Sequence, residues 1–86
     1  MTMATEPKGD ARALVEHIAR GLTEKPDEVA VAAVPEGAQV ALELTVAESD
    51  MGRVIGRGGR TARAFRQVLT AAGDVAGHRY ELEILE

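Results

Sequence analysis

The chain has 86 residues, no cysteine, two histidines and a formal net charge of −4 at pH 7. A chain of this length forms one modest core, and the lack of thiols excludes a disulfide framework and a thiolate metal site. No apolar run approaches the roughly 20 residues that span a bilayer, and the polar start lacks the apolar segment of a signal peptide. Composition therefore predicts one cytosolic domain over residues 10–86, without membrane insertion, preceded by a disordered leader over residues 1–9.

The first half of the chain predicts a helix followed by two strands. Asp10 suits a helix N-cap, and apolar residues recur after it at four-residue spacing until Glu24–Asp27 ends the helix. Residues 29–34 are rich in valine and alanine and precede a Pro-Glu-Gly turn, which favours a strand. Residues 40–46 alternate apolar and polar side chains, which predicts a second, half-buried strand.

The second half predicts two helices and a last strand. Ser49 or Asp50 can cap a short helix through Ile55, and a second helix is expected over residues 59–72 with Gly73 as its C-cap. The alternating segment at the end of the chain predicts a strand, and a pair of helices joins it to the strand before, so one parallel pairing is expected. The fold class that follows is α+β, in the order αββααβ, with a three-stranded mixed sheet and three helices packed on one face.

The most informative segment is Val54–Thr61, in which glycines lie between two helix-compatible stretches. Glycine lets the chain turn where a Cβ would clash, and it leaves backbone amides free to face an anion at the start of the next helix. Between Met51 and Gly73 there are five arginines and no acidic residue, whereas all fourteen acidic residues lie outside this window. Because a local basic patch steers anionic ligands, the segment predicts a phosphate-binding site in an otherwise acidic chain.

The run Val-Ile-Gly-Arg-Gly-Gly over residues 54–59 resembles the signature of the K homology (KH) domain, whose minimal unit is strand, helix, GXXG loop, helix, strand. An extra helix and strand before that unit is similar to the type II, bacterial form. Residues 50–62, together with Leu14-Val15, Ile18-Ala19 and Lys25-Pro26-Asp27, are similar to the KhpA family of small stand-alone bacterial KH proteins. The resemblance covers nearly all of residues 10–86.

This resemblance implies RNA binding and a role as RNA chaperone or post-transcriptional regulator. It also implies pairing with a larger KH-domain protein, KhpB. In some bacteria that pair is tied to cell-wall homeostasis and cell length. A domain this small also has a physical reason to dimerise, so a homodimer or a heterodimer is expected. Two positions depart from the broad KH pattern: Gly58, where many loops carry a basic or polar residue, and Ala62, where the consensus is aliphatic. Gly58 is expected to weaken the attraction of the loop for RNA.

A KH-like site would hold the sugar-phosphate path on the loop amides and the start of the next helix, with about four bases in the groove beside it. The predicted site contains Arg57 and Arg60 as phosphate contacts, Arg53 and Arg63 as extensions of the path, Val54 and Ile55 as apolar groove wall, and Gly56, Gly58 and Gly59 as the loop itself. Arg66 is interpreted as part of a solvated helix face. The two aromatic residues lie in core-facing series, so a stacking platform is not expected.

Other functions were weighed against the same residues. A P-loop would need a glycine at Val54 and a lysine at Arg60, and a dinucleotide fingerprint would need a glycine at Thr61. The spacing of the residues does not bring a nucleophile, a base and an orienting group together. We therefore expect no enzymatic activity, no small-molecule substrate and no cofactor. One alternative stays open: a protein-interaction module in which the sheet or the first helix mediates dimerisation, and the loop has little RNA affinity of its own.

Overall fold

The computed structural model describes residues 10–85, so the leader predicted over residues 1–9 lies outside the described residues. The described chain forms α1 (Asp10–Leu22), β1 (Ala30–Glu36), β2 (Gln39–Thr45), α2 (Met51–Ile55), α3 (Arg60–Ala76) and β3 (Arg79–Leu85). Short 3₁₀ turns occupy Pro26–Glu28, Glu48–Asp50 and Arg57–Gly59. This order confirms the predicted αββααβ arrangement. Over residues 10–85, no helix is both long and apolar enough to cross a membrane.

The three strands form one mixed sheet in the order β1-β2-β3. β1 and β2 form an antiparallel hairpin, and β2 pairs in parallel with β3. Leu42 in the central strand lies opposite Ala33 on one side and Leu82 on the other, so these three side chains share a face. The predicted parallel pairing is therefore confirmed, and it is the one that connects through α2 and α3.

One face of this sheet carries the hydrophobic core, and the helices pack on it. Buried residues of the sheet join buried residues of all three helices in one cluster, which contains Val31, Leu42, Leu44 and Leu82 from the strands, Ala11, Val15 and Ala19 from α1, Val54 from α2, and Phe65 and Leu69 from α3. On the opposite face Glu81 and Glu83 are exposed, and Glu83 lies directly opposite Glu43. The core thus fixes α2 and the start of α3 against the sheet.

The end of α3 differs from the sequence-based expectation. The helix continues to Ala76 and ends at Gly77, which has a φ of +76° and donates its amide to the Gly73 carbonyl at 2.8 Å. Gly73 lies buried inside the helix, where a Cβ would meet the carbonyl oxygen of His78 and approach Tyr80 at 3.5 Å. The prediction that Gly73 is the C-cap is wrong, because this glycine allows β3 to pass close to the helix rather than allowing the chain to turn.

Candidate nucleic-acid interface

The glycine loop between α2 and α3 is built from three residues with positive φ. Gly56 has φ +78° and ψ 165°, Gly58 has φ +63°, and Gly59 has φ +78°, whereas no non-glycine residue of the described chain has a positive φ. A Cβ on Gly56 would meet the hydroxyl of Thr61 and lie 2.7 Å from its backbone nitrogen. The Gly59 amide donates to the Gly56 carbonyl at 3.0 Å, which closes the loop. These φ values and this close approach explain why glycine is required here.

The loop leads directly into the N-terminus of α3. This helix has 17 residues, its N-cap residue is Gly59, and no side chain caps its first turn. No acidic residue lies in that turn either. The amides of a helix start and the positive end of its dipole favour an anion, and here no carboxylate of the turn competes for them. The backbone at this point is therefore suited to a phosphate group.

The arginines of the window divide into two groups. Arg57, Arg60 and Arg63 are exposed, and their side chains make no ion pair or hydrogen bond with any residue in the range 10–85. Arg53 is engaged, since its guanidinium lies 3.1 Å from Asp50 Oδ1 and 3.2 Å from Glu24 Oε2. The group available to an anion therefore lies on the loop and the first turns of α3.

Arg66 is also engaged, although less tightly. Its Nη2 donates to the Leu82 carbonyl at 3.4 Å, which connects α3 to β3. The interpretation of Arg66 as part of a solvated helix face agrees with its exposure, but it did not include this contact with the edge strand.

Asp50 is the one buried charged side chain in the described part of the chain, with 1% of its surface exposed. Its carboxylate accepts hydrogen bonds from the backbone amides of Glu24 and Lys25, both at 3.0 Å, and from Arg53 Nε at 3.1 Å. The Glu24 amide is the largest cause that lowers the pKa of this carboxyl, and the Lys25 amide and the Arg53 charge add to it, whereas burial opposes them. Asp50 thus holds the turn after α1 against the start of α2.

Asp50 was expected to cap α2, but its side chain does not cap this helix. Asp50 occupies the N-cap position of α2, but its carboxylate makes no capping hydrogen bond. Two of its three hydrogen-bond donors are backbone amides that lie 25 and 26 residues earlier in the chain. An Asp before a helix indicates a cap in any sequence, and no local signal points to partners so distant.

A groove lies beside α2, on the surface that leads to the loop. It has a volume of about 570 Å³ and is lined by Val46, Glu48, Met51 and Ile55. Ile55 is 39% exposed, whereas Val54 is 0% exposed and packs in the core. Of the two residues predicted as groove wall, Ile55 therefore lines the groove, and Val54 does not.

Three residues of the groove were missed by the sequence analysis. Val46 ends the second apolar alternation, Glu48 lies in the connection to α2, and Met51 is the first residue of α2. Their place in the groove depends on how the chain turns after β2, which the residue pattern does not specify.

Comparison with known proteins shows the family of this chain. The model of the KhpA/KhpB KH domain matches residues 12–84. The chain belongs to the KhpA/KhpB KH-domain family. The "RNA-binding protein KhpA" of Halalkalibacterium halodurans is 44% identical over 75 residues, which are 87% of this chain and 99% of that protein. The protein of the same name from Treponema pallidum is 46% identical over 74 residues, which are 85% of this chain and 91% of that protein. The resemblance found in the sequence is therefore confirmed.

A solved structure shares the fold. The crystal structure of a single-residue variant of Aquifex aeolicus Era, bound to GDP and AlF4⁻, superposes with a TM-score of 0.63 at 22% identity. The match covers 98% of this chain and 32% of the Era chain, and at this identity it shows a shared fold alone. The residues Gly56-Arg57-Gly58-Gly59 have the sequence pattern GXXG and lie between α2 and α3.

Proposed function

We propose that this KH domain binds single-stranded RNA through its GXXG loop and the groove beside α2. We further propose that it acts as an RNA chaperone or post-transcriptional regulator in complex with a larger KhpB-like KH protein. Two findings support the proposal: the relatives that cover most of the chain bear the name RNA-binding protein KhpA, and the matching family model includes KhpB. The links to cell-wall homeostasis and cell length, dimerisation and a cytoplasmic location stay predictions.

The observation that carries the proposal is the uncapped start of α3 behind three glycines of positive φ, next to three arginines with no partner in the described chain. A GXXG loop clamps the backbone of about four nucleotides. Phosphates would lie against the loop and the first turn of α3, where Arg57 and Arg60 neutralise them. Arg63 lies on the next part of the helix and extends the path.

The remaining predicted contacts have different roles in this proposal. Ile55 offers an apolar side chain to a base face, whereas Val54 is buried in the core and holds α2 against the sheet. Arg53 shares its charge with Asp50 and Glu24, so we expect it to contribute less than Arg57 or Arg60. Aromatic stacking has no part, because Phe65 is buried in the core and Tyr80 is half-buried against it.

The test is fluorescence anisotropy of a labelled single-stranded RNA pool with the wild-type chain and with the double variant Arg57→Asp/Gly58→Asp, at two salt concentrations. Gly58 has open space around it, and Asp tolerates a left-handed backbone better than most residues, so the variant is expected to fold. Circular dichroism checks this. We expect salt-sensitive binding that the variant loses.

A matched control carries the same change of charge at the other end of the domain. The double variant Arg79→Asp/Ala38→Asp changes residues at the hairpin end of the sheet, where Gln39 pairs with Arg79. This end lies near the C-terminus of α3, whereas the loop lies at its N-terminus. We expect this control to bind nearly as well as the wild type. Equal binding by the loop variant, or equal loss in both variants, would refute a loop-specific RNA site.

The alternative function is a dimerisation module with little RNA affinity. The observation that favours it is the sheet face opposite the helices, which no element of the described chain covers and which bears the exposed Glu81 and Glu83. Pairing through this face would survive both high salt and the loop variant, whereas RNA binding would not. Size-exclusion chromatography of the same proteins with a KhpB-like partner separates the two functions.

A further inference from the structure

Glu48 is an acidic side chain on the wall of the otherwise apolar groove beside α2. The other lining residues, Val46, Met51 and Ile55, have apolar side chains. Glu48 is exposed, and its carboxylate has no ion pair or hydrogen bond within residues 10–85. By contrast, the buried carboxylate of Asp50, two residues later, has three donors. Glu48 thus has both oxygens available to a ligand in the groove.

The position of the groove limits what this ligand is. Ile55 lines the groove, and the next residue, Gly56, begins the loop that we assign to phosphates. A strand with its phosphates on the loop brings its bases to the neighbouring apolar surface. The carboxylate would repel a phosphate, so it is suited to the base side of the strand rather than to the backbone.

The chemistry of a carboxylate distinguishes among the four bases. An ionised carboxylate only accepts hydrogen bonds, and it has two oxygens side by side. The Watson–Crick edge of guanine presents two adjacent donors, N1–H and the N2 amino group. Adenine and cytosine present one amino donor beside a ring nitrogen with a lone pair, and uracil presents one N–H between two carbonyls. Guanine is therefore the base that can pair with both oxygens without an acceptor facing the charge.

We infer that Glu48 is a specificity-determining residue that selects a guanine in the groove, by accepting hydrogen bonds from its N1–H and N2 amino group. This inference rests on the proposed function, because it needs a strand bound at the loop. The apolar residues would contact the base face without regard to its identity, and the polarizable sulfur of Met51 suits such a contact. Glu48 then supplies the base preference that the loop alone lacks.

The inference is tested with three fluorescent oligouridines that differ in one central nucleotide, which is guanosine, inosine or uridine. Inosine keeps N1–H and lacks the amino group, so it can satisfy one carboxylate oxygen only. Good bidentate base contacts discriminate by roughly tenfold. We expect the wild type to bind the guanosine oligonucleotide roughly tenfold more tightly than the uridine one, with inosine between them. Binding is measured by anisotropy at one fixed salt concentration.

Two variants complete the design. Glu48→Gln removes the charge but keeps the shape, and it is expected to abolish the difference between guanosine and inosine. Glu83→Gln makes the same change of charge on the opposite sheet face, and it is expected to keep the wild-type preference. Equal binding of the three oligonucleotides by the wild type would overturn the inference and leave the proposed function intact.

Two further outcomes would also overturn the inference. If Glu48→Gln raised the affinity for all three oligonucleotides by one factor, or if it kept the guanosine preference, Glu48 would not read the base. If the wild type bound none of them, nor the mixed RNA pool, the proposed function itself would fail together with the inference.

Discussion

Substitution of Gly56 by alanine tests whether backbone geometry determines the glycine loop. Gly56 has φ +78° and ψ 165°, a region occupied almost only by glycine, and holding another residue there costs about 1–3 kcal/mol. The new Cβ would also lie 2.7 Å from the Thr61 nitrogen, and overpacking of this kind costs about 1–3 kcal/mol. We therefore expect Gly56→Ala to lower the free energy of unfolding by about 2–6 kcal/mol.

This loss is large for a domain of this size. At about 0.05–0.15 kcal/mol per residue, an 86-residue chain has a total stability of roughly 4–13 kcal/mol. The assay is urea denaturation followed by circular dichroism, with the midpoint and slope compared between proteins. The variant is expected to unfold at a much lower urea concentration with a similar slope.

Two glycines serve as matched controls. Gly58→Ala has a positive φ but open space around the new Cβ, so it is expected to cost about 1–2 kcal/mol. Gly21→Ala lies in α1 with open space and no positive φ, so it is expected to be neutral or to stabilise by up to about 1 kcal/mol. If Gly56→Ala cost no more than Gly58→Ala, the argument from the Thr61 contact would be refuted.

Three further predictions follow from contacts around the site. Because the pKa of Asp50 is lowered, its carboxylate stabilises the fold above the ordinary Asp pKa near 4, and this contribution is lost as the pH falls through the lowered pKa. In urea titrations, Asp50→Asn should therefore lose less stability than the wild type between about pH 6 and pH 3. Equal losses of stability in the two proteins would contradict this. For three to five contacted phosphates, the slope of log K against log salt is about −2 to −3.5, and Arg60→Ala should make it shallower by about 0.7, whereas Arg66→Ala should leave it unchanged. A slope for Arg60→Ala equal to the wild-type slope in anisotropy titrations would show that Arg60 contacts no phosphate. Gly73→Ala should destabilise by about 1–3 kcal/mol in urea because its Cβ meets the His78 carbonyl, and an unchanged midpoint would disprove that close approach.

Local patterns were sufficient to predict the elements and the loop. The alternation over residues 40–46 and the glycines around Arg57 depend on neighbours in the sequence, and the structure has a strand and a turn at these places. The order of elements then restricted the sheet to one containing a parallel pair, because two helices lie between β2 and β3.

Contacts between distant segments were not predictable in the same way. The two backbone amides that bond to Asp50 lie in the turn after α1, and the contact that requires Gly73 comes from the chain after α3 has ended. In a helix as short as α2, two adjacent apolar residues give no period, so the pattern did not show that Val54 faces the core and Ile55 faces the groove. The charge of Arg53 was counted correctly, but its engagement by Glu24 depends on tertiary structure.

The brevity of α2 has a consequence for the dynamics of the site. A helix of five residues is far below the roughly 12–15 residues at which an isolated helix becomes even marginal in water. Its persistence depends on Val54 in the core and on Asp50 at its start, so it cannot fray and reform apart from the rest of the fold. The Gly56 amide, which donates to the Gly52 carbonyl at 2.9 Å, should then exchange with solvent through opening of the whole domain. The loop that follows would reach an RNA strand already shaped, with little ordering entropy left to lose on binding.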